Sequence, residues 1–270
     1  MSLRASPPAG ESAVEAAAKE LQLTQEALMR NPKSYSAWHH RKWVLGYGLS
    51  SLEAELVLVE MLLDMDSRNF HGWAYRRFRM GTPAERELQY TTKKIQQNFS
   101  NYSAWHYRSW LLPLLAEKDK VSGDGALPVG SAAALLPHAL LAEEYELVSQ
   151  AFFTEPEDQS GWIYHRWLLG CTMEHCRRAP ADRAARAQAR DVLEGQLALI
   201  EELREAEPGC VWGRKQQAHV LGLLAELEGA GARREEAVAA LSELKALDPL
   251  RRGFFDHALS QVRRGAAMTV

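Results

Sequence analysis

Apolar residues in this chain recur at intervals of three and four, broken by short polar turns, and no stretch gives a convincing strand. In "SSLEAELVLVEMLLDMD" the spacing predicts a helix opened by a capping box of Ser50 and Glu53, with Leu52, Leu56, Val59 and Leu63 on one face. In "TPAERELQYTTKKIQQN", Thr82 is placed to cap, Pro83 to take the first helical position and Glu85 to close the box. "HALLAEEYELVSQAFF" reads as another helix, and "REEAVAALSELKALDP" as a last one, stopped by Pro249.

Four segments superimpose on a tryptophan: "NPKSYSAWHHRKWVL", "DSRNFHGWAYRRFRM", "NFSNYSAWHYRSWLL" and "EPEDQSGWIYHRWLL". The anchors are Trp38, Trp73, Trp105 and Trp162, each preceded by alanine or glycine. A second aromatic follows five residues later (Trp43, Phe78, Trp110, Trp167), and an arginine three or four residues later (Arg41, Arg76, Arg108, Arg166). A fifth, degraded copy is centred on Trp212. The recurrence predicts an all-α solenoid of helical hairpins, each packed on its neighbours. The eight aromatics are expected in the core, with the arginine stems over them and their heads paired with carboxylates on an adjacent helix. A pattern repeated four times is scaffold, since chemistry needs one arrangement.

This organises the chain as a disordered leader at 1–13, a repeat domain at 14–262 and a tail at 263–270. Loop insertions are expected at about 116–137 and 171–186, where the tryptophan spacing stretches. A formal charge of −3 argues against a general nucleic-acid binder. Three cysteines make no disulfide framework. No 18-residue apolar run could form a transmembrane segment, and the first residues lack the apolar centre of a secretory signal. The expected location is cytoplasmic.

Pro-x-x-Tyr-x-x-Trp-x-x-Arg, at Pro32, Tyr35, Trp38 and Arg41, resembles the repeat of protein prenyltransferase α subunits. The variants "RNFHGWAYRRF" and "NFSNYSAWHYRSWLLP" are most similar to the branch serving Rab geranylgeranyltransferase, type II. The resemblance runs from about residue 14 to about 260. It implies a right-handed α-α superhelix that wraps a β subunit. Subunits of this kind usually carry one more repeat upstream and often leucine-rich repeats downstream; this sequence contains neither.

The resemblance further implies an enzyme active only with its β subunit, which would hold a catalytic zinc and the lipid pocket. That enzyme transfers geranylgeranyl from geranylgeranyl diphosphate to C-terminal cysteines of Rab GTPases brought by a Rab escort protein. By motif match, Lys33 takes the diphosphate-contacting lysine position, and Tyr35 and His71 line the same site as catalytic groups. Among the residues themselves, the position five before the tryptophan is basic in two repeats only (Lys33, Arg68), which suits a site better than a scaffold, and the resemblance makes that site the diphosphate's. The alternatives are a non-enzymatic repeat scaffold and the α subunit of farnesyl and type I enzymes. Adjacent His39 and His40 point about 100° apart on a helix and do not chelate one metal. Cys171, His175 and Cys176 lack a fourth ligand, so no metal is assigned to this chain.

Overall fold

Several helices in this chain start where a side chain accepts the first free backbone N–H groups. Ser12 forms a full capping box with Glu15, while Ser34, Ser51 and Asp182 accept from the N–H groups of Ala37, Ala54 and Ala184. The computed structural model describes residues 12–46, 48, 51–78, 83–118, 135–229 and 231–264. It is all-α, with no strand among the described residues.

The chain clusters into two compact units, 1–94 and 95–270. The first contains α1 (Ala13–Arg30), α2 (Tyr35–Leu45), α3 (Leu52–Met65), α4 (Phe70–Phe78) and most of α5 (Ala84–Gln97). There α1 packs on α2 and α3 on α4, and the two hairpins meet through α2 against α4 and α1 against α3. The second contains α6 (Tyr102–Lys118), α7 (His138–Thr154), α8 (Gln159–Arg178), α9 (Arg183–Ala206), α10 (Val211–Glu228) and α11 (Gly231–Leu247). A 3-10 turn at Pro249–Arg251 then leads into α12 (Arg252–Arg263). Here α8 contacts α6, α7, α9 and α10, and α11 packs on both α10 and α12.

The anchor tryptophans are buried, and each indole Nε1–H donates to the carbonyl six residues earlier: Pro32, Ser67, Phe99 and Pro156, all at 2.8 Å. One hydrogen bond thus pins the turn inside each hairpin to the helix that follows. The small residue before the tryptophan is a packing requirement. A Cβ on Gly72 would lie 3.0 Å from Leu63 Cδ2, and one on Gly161 would lie 3.1 Å from the Cβ of Ala151.

Three arginines are neutralised in the core. Arg41 Nε and Nη2 each meet a Glu55 oxygen at 2.8 Å, and its Nη1 bonds the Leu21 carbonyl and Thr24 Oγ1. Arg76 grips Glu87 with two bonds of 2.7 and 2.8 Å, and its guanidinium lies 3.5 Å over the Tyr90 ring. Arg108 grips Glu144 at 2.6 and 2.7 Å. A tyrosine of the following hairpin closes two of these pairs: Tyr75 donates to Glu55 at 2.5 Å and Tyr164 to Glu144 at 2.6 Å.

The fourth repeat departs. Its residue three positions after the tryptophan is His165, which is fully buried between Gln196 at 2.8 Å and Gln216 at 2.6 Å. Arg166 is therefore not the structural arginine expected there; it lies one residue further along and has no carboxylate partner among the described residues. The fifth copy is also shifted. Cys210 caps α10 by accepting from Gly213, so Gly213 holds the small position and Trp212 is not the anchor.

Other expectations change too. Three of the aromatics five residues after the tryptophan are not core: Trp43 is 47% and Trp110 40% exposed, and Trp167 is half-buried, while the Phe78 side chain lies outside the described residues. Five residues on a helix is about 140° past a whole turn, so they face away from the anchors. Residues seven after it, Leu45, Leu112 and Leu169, are buried as periodicity requires. The loop expected at 171–186 is mostly helix, because α8 runs on to Arg178 and α9 starts at Arg183. Thr172, Met173 and Cys176 carry its buried stripe onward. Ser51, not Ser50, caps α3. α11 is followed by α12, whose Phe255, Ala258, Leu259 and Val262 are buried. Residues 1–11, 119–134 and 265–270, and with them most of the expected leader, first insertion and tail, lie outside the described residues, as do Ser50 and Thr82.

Removing one partner of a buried pair leaves a stranded charge. Glu55→Ala should cost about 3–5 kcal/mol, seen as a lower urea midpoint for the first unit. The double change Arg41→Met with Glu55→Leu should recover most of that loss, and a double variant as unstable as the single one would refute the charge argument.

Candidate functional site

The predicted site residues lie on two successive turns of the first unit and on the helices they open. In the turn before α2, the N–H of Lys33 donates to Asn31 Oδ1 at 3.2 Å; before α4, that of Arg68 donates to Asp66 Oδ1 at 3.1 Å. Each local bond tightens the turn. Asn69 ties the two turns together. Its Nδ2 donates to the Pro32 carbonyl at 2.9 Å, while its Oδ1 accepts from the His71 N–H at 3.0 Å. Pro32 O thus receives both Trp38 and Asn69, which fixes the Lys33 backbone relative to the start of α4.

This brings Tyr35 and His71 together, with Lys33 on the turn that leads into the Tyr35 helix. The Tyr35 ring meets His71 edge-on, with centroids 5.1 Å apart, and remains 74% exposed. The Phe70 ring centroid lies 3.9 Å from that of the imidazole, and Phe70 is 61% exposed. Lys33 Nζ rests 3.3 Å from Asp66 Oδ2 on the surface. Arg68 lies on the same turn as His71, three residues before it.

Two residues that the motif comparison passed over belong here, Lys42 on α2 and Arg77 on α4. Burial holds the His71 imidazole below its ordinary pKa, and the Lys42 charge holds it lower still. Lys42 is in turn depressed by burial and by Arg77. Their common signal is a basic side chain four residues after the tryptophan in both repeats. The arrangement offers ammonium and guanidinium charge, a phenol and a neutral imidazole on one exposed face. Such a set suits an anionic ligand carrying several oxygens.

The remaining candidates resolve into structure. His40 pairs with Glu20 at 2.7 Å and stacks on Trp43, while His39 is exposed. His175 bonds the Leu136 carbonyl at 2.8 Å, and burial pushes the Cys171 thiol up to about 12 and the Cys176 thiol upward too. Protonated thiols are poor zinc ligands, and no group of three or more His, Cys, Asp or Glu among the described residues is placed to hold a metal.

A family model described as the protein prenyltransferase alpha subunit repeat matches residues 17–48, 52–82, 84–115 and 141–172. The geranylgeranyl transferase type-2 subunit alpha of Candida albicans is 32% identical over 271 residues, covering 87% of this chain and 70% of that protein. The chain belongs to the protein prenyltransferase alpha-subunit family. The human geranylgeranyl transferase type-2 subunit alpha is 47% identical over 155 residues, 56% of this chain. That match spans only 26% of the human protein. Among solved structures, the fold is shared with Candida albicans protein geranylgeranyltransferase-I complexed with GGPP. The TM-score is 0.62 at 20% identity, over 91% of this chain and 72% of that one. The family model covers the first four repeats and leaves out the shifted fifth.

The electrostatic coupling on this face is measurable. In Lys42→Met the His71 pKa should rise, without reaching its ordinary value because burial persists; an unchanged NMR titration of His71 would disprove the coupling.

Proposed function

We propose that this chain acts as the α subunit of a heterodimeric type II geranylgeranyl transferase. Its partner would be a prenyltransferase β subunit, and the enzyme would move geranylgeranyl from its diphosphate to C-terminal cysteines of Rab GTPases presented by an escort protein. The reaction would take place in the cytoplasm. The observation that carries the reading is the contact of Tyr35 with His71 in the first unit, beside Lys42 and Arg77, with Lys33 on the turn before Tyr35.

A zinc ion on the β subunit would supply the acceptor cysteine as a thiolate. The α chain's part concerns the leaving group. As the carbon–oxygen bond to the lipid breaks, negative charge grows on the diphosphate, and donors already aimed at it lower the barrier. Lys33 exchanges its surface contact with Asp66 for a diphosphate oxygen. This costs little, because an exposed ion pair is weak. His71, kept neutral, donates one N–H without adding to the repulsion among Lys42, Arg77 and Lys33. Tyr35 supplies a phenolic O–H and braces the imidazole edge-on. The exposed rings of Tyr35 and Phe70 are suited to being covered by the β subunit.

Co-expression with a type II β subunit, followed by a transfer assay with Rab and escort protein, tests the reading. Lys33→Ala should lower transfer by about 10²-fold while the heterodimer still co-purifies. Unchanged transfer would remove Lys33 from the site. Failure of the wild type to form any complex would overturn the subunit reading itself.

A further inference from the structure

In the second unit the fourth repeat sets a cation free. The core position that holds arginine in the first three repeats is filled by His165, and Gln196 and Gln216 meet it with uncharged groups. Arg166, displaced by one residue, is part-buried and forms no hydrogen bond or ion pair among the described residues. Where α8 packs on α10, the Arg166 charge acts on Lys215, so the two cations are neighbours at this crossing.

Lys215 is part-buried and has no carboxylate partner among the described residues. Its ammonium lies 4.2 Å from the Trp212 ring centroid and 5.3 Å from that of Phe254. Burial depresses it, and Arg166 and then Arg251 depress it further, with Asp248 opposing. Burial depresses Arg166 as well. One turn along α10, His219 has an Nδ1 sealed from solvent with no hydrogen-bond partner among the described residues. Burial pushes that imidazole down to about 3, with Arg166 the largest charge acting on it.

Arg251 is ion-paired with Asp248, so among the described residues Arg166 and Lys215 are left without an ion pair of their own at this crossing. A desolvated charge without a counter-charge destabilises the fold, so retaining two side by side points to an anion that compensates them. Two unmatched charges suit a dianion better than a carboxylate. The orphan His219 nitrogen supplies a third, neutral donor in its Nδ1–H tautomer. We propose that Arg166, Lys215 and His219 form a binding site for a phosphate dianion, walled by Trp212 and Phe254. The site is built wholly from the second unit and does not rest on the reading given to Lys33 and His71.

Calorimetric titration of the full chain in phosphate-free buffer at neutral pH tests this, using inorganic phosphate, inorganic diphosphate and acetate. Wild type and Lys33→Ala should show the same saturable phosphate binding, and acetate should give none. Arg166→Gln and Lys215→Met should each weaken phosphate by about tenfold or more, and Arg166→Lys should restore part of the loss. Equal affinity for phosphate and diphosphate would identify a single free phosphate group as the ligand; much tighter diphosphate binding, still lost in both variants, would identify the diphosphate unit. Melting curves without phosphate show whether each variant folds, and Arg166→Gln should melt at or above wild type once its stranded charge is gone. Absence of saturable phosphate binding by wild type, or an affinity that both folded variants leave unchanged, overturns the proposal.

Discussion

The buried pairing of Arg41 with Glu55, closed by the phenol of Tyr75, holds the first unit in register. Three helices contribute one group each. Burying a carboxylate and a guanidinium costs several kcal/mol per ion unless nearly every donor and acceptor is met. Here Arg41 also reaches Thr24 and the Leu21 carbonyl on α1. A slip of one residue on α2, α3 or α4 would leave a bare charge in the core, so the network admits one alignment. Arg108, Glu144 and Tyr164 do the same for α6, α7 and α8 in the second unit. In both, the closing tyrosine also packs on an anchor tryptophan, with centroids 4.9 Å apart at Trp38–Tyr75 and 4.7 Å at Trp105–Tyr164.

A core this rigid frees the other positions of each repeat. With the tryptophan and the residue three after it committed inward, the residues three before it and four after it point elsewhere. In the first unit these are Tyr35, Phe70, Lys42 and Arg77, and they make up much of the candidate face beside Lys33 and His71. The Asn69 bridge to Pro32 then holds one turn against the next. The fourth repeat shows the converse. Once His165 and the glutamines replace the charged triad, no hydrogen bond or ion pair engages Arg166 among the described residues.

Much of the fold was legible because tryptophan spacing and helical periodicity report the same burial. The anchors, the seventh-position leucines and the Arg–Glu pairs followed from it. Trp43 and Trp110 did not, because aromatic character marks partner surfaces as readily as cores, and only helix phase separates the two. Arg166 was misplaced because "YHRW" offers a basic residue at both of the two allowed spacings, and the choice depends on Gln196, distant in sequence. Trp212 drew the eye from a register that the Cys210 cap actually sets. At the candidate site, Lys33, Tyr35 and His71 came from motif likeness. Lys42 and Arg77 needed the structure, since charge on a helix is usually only a solvated face.

Quantitative acetylation footprinting of the proposed heterodimer, with and without geranylgeranyl diphosphate, addresses the central claim most directly. If the face on α2 and α4 receives the diphosphate, Lys33 loses reactivity on ligand binding while exposed Lys19 and Lys93 do not change. Lys33 staying as reactive as those controls at saturating ligand would contradict the account.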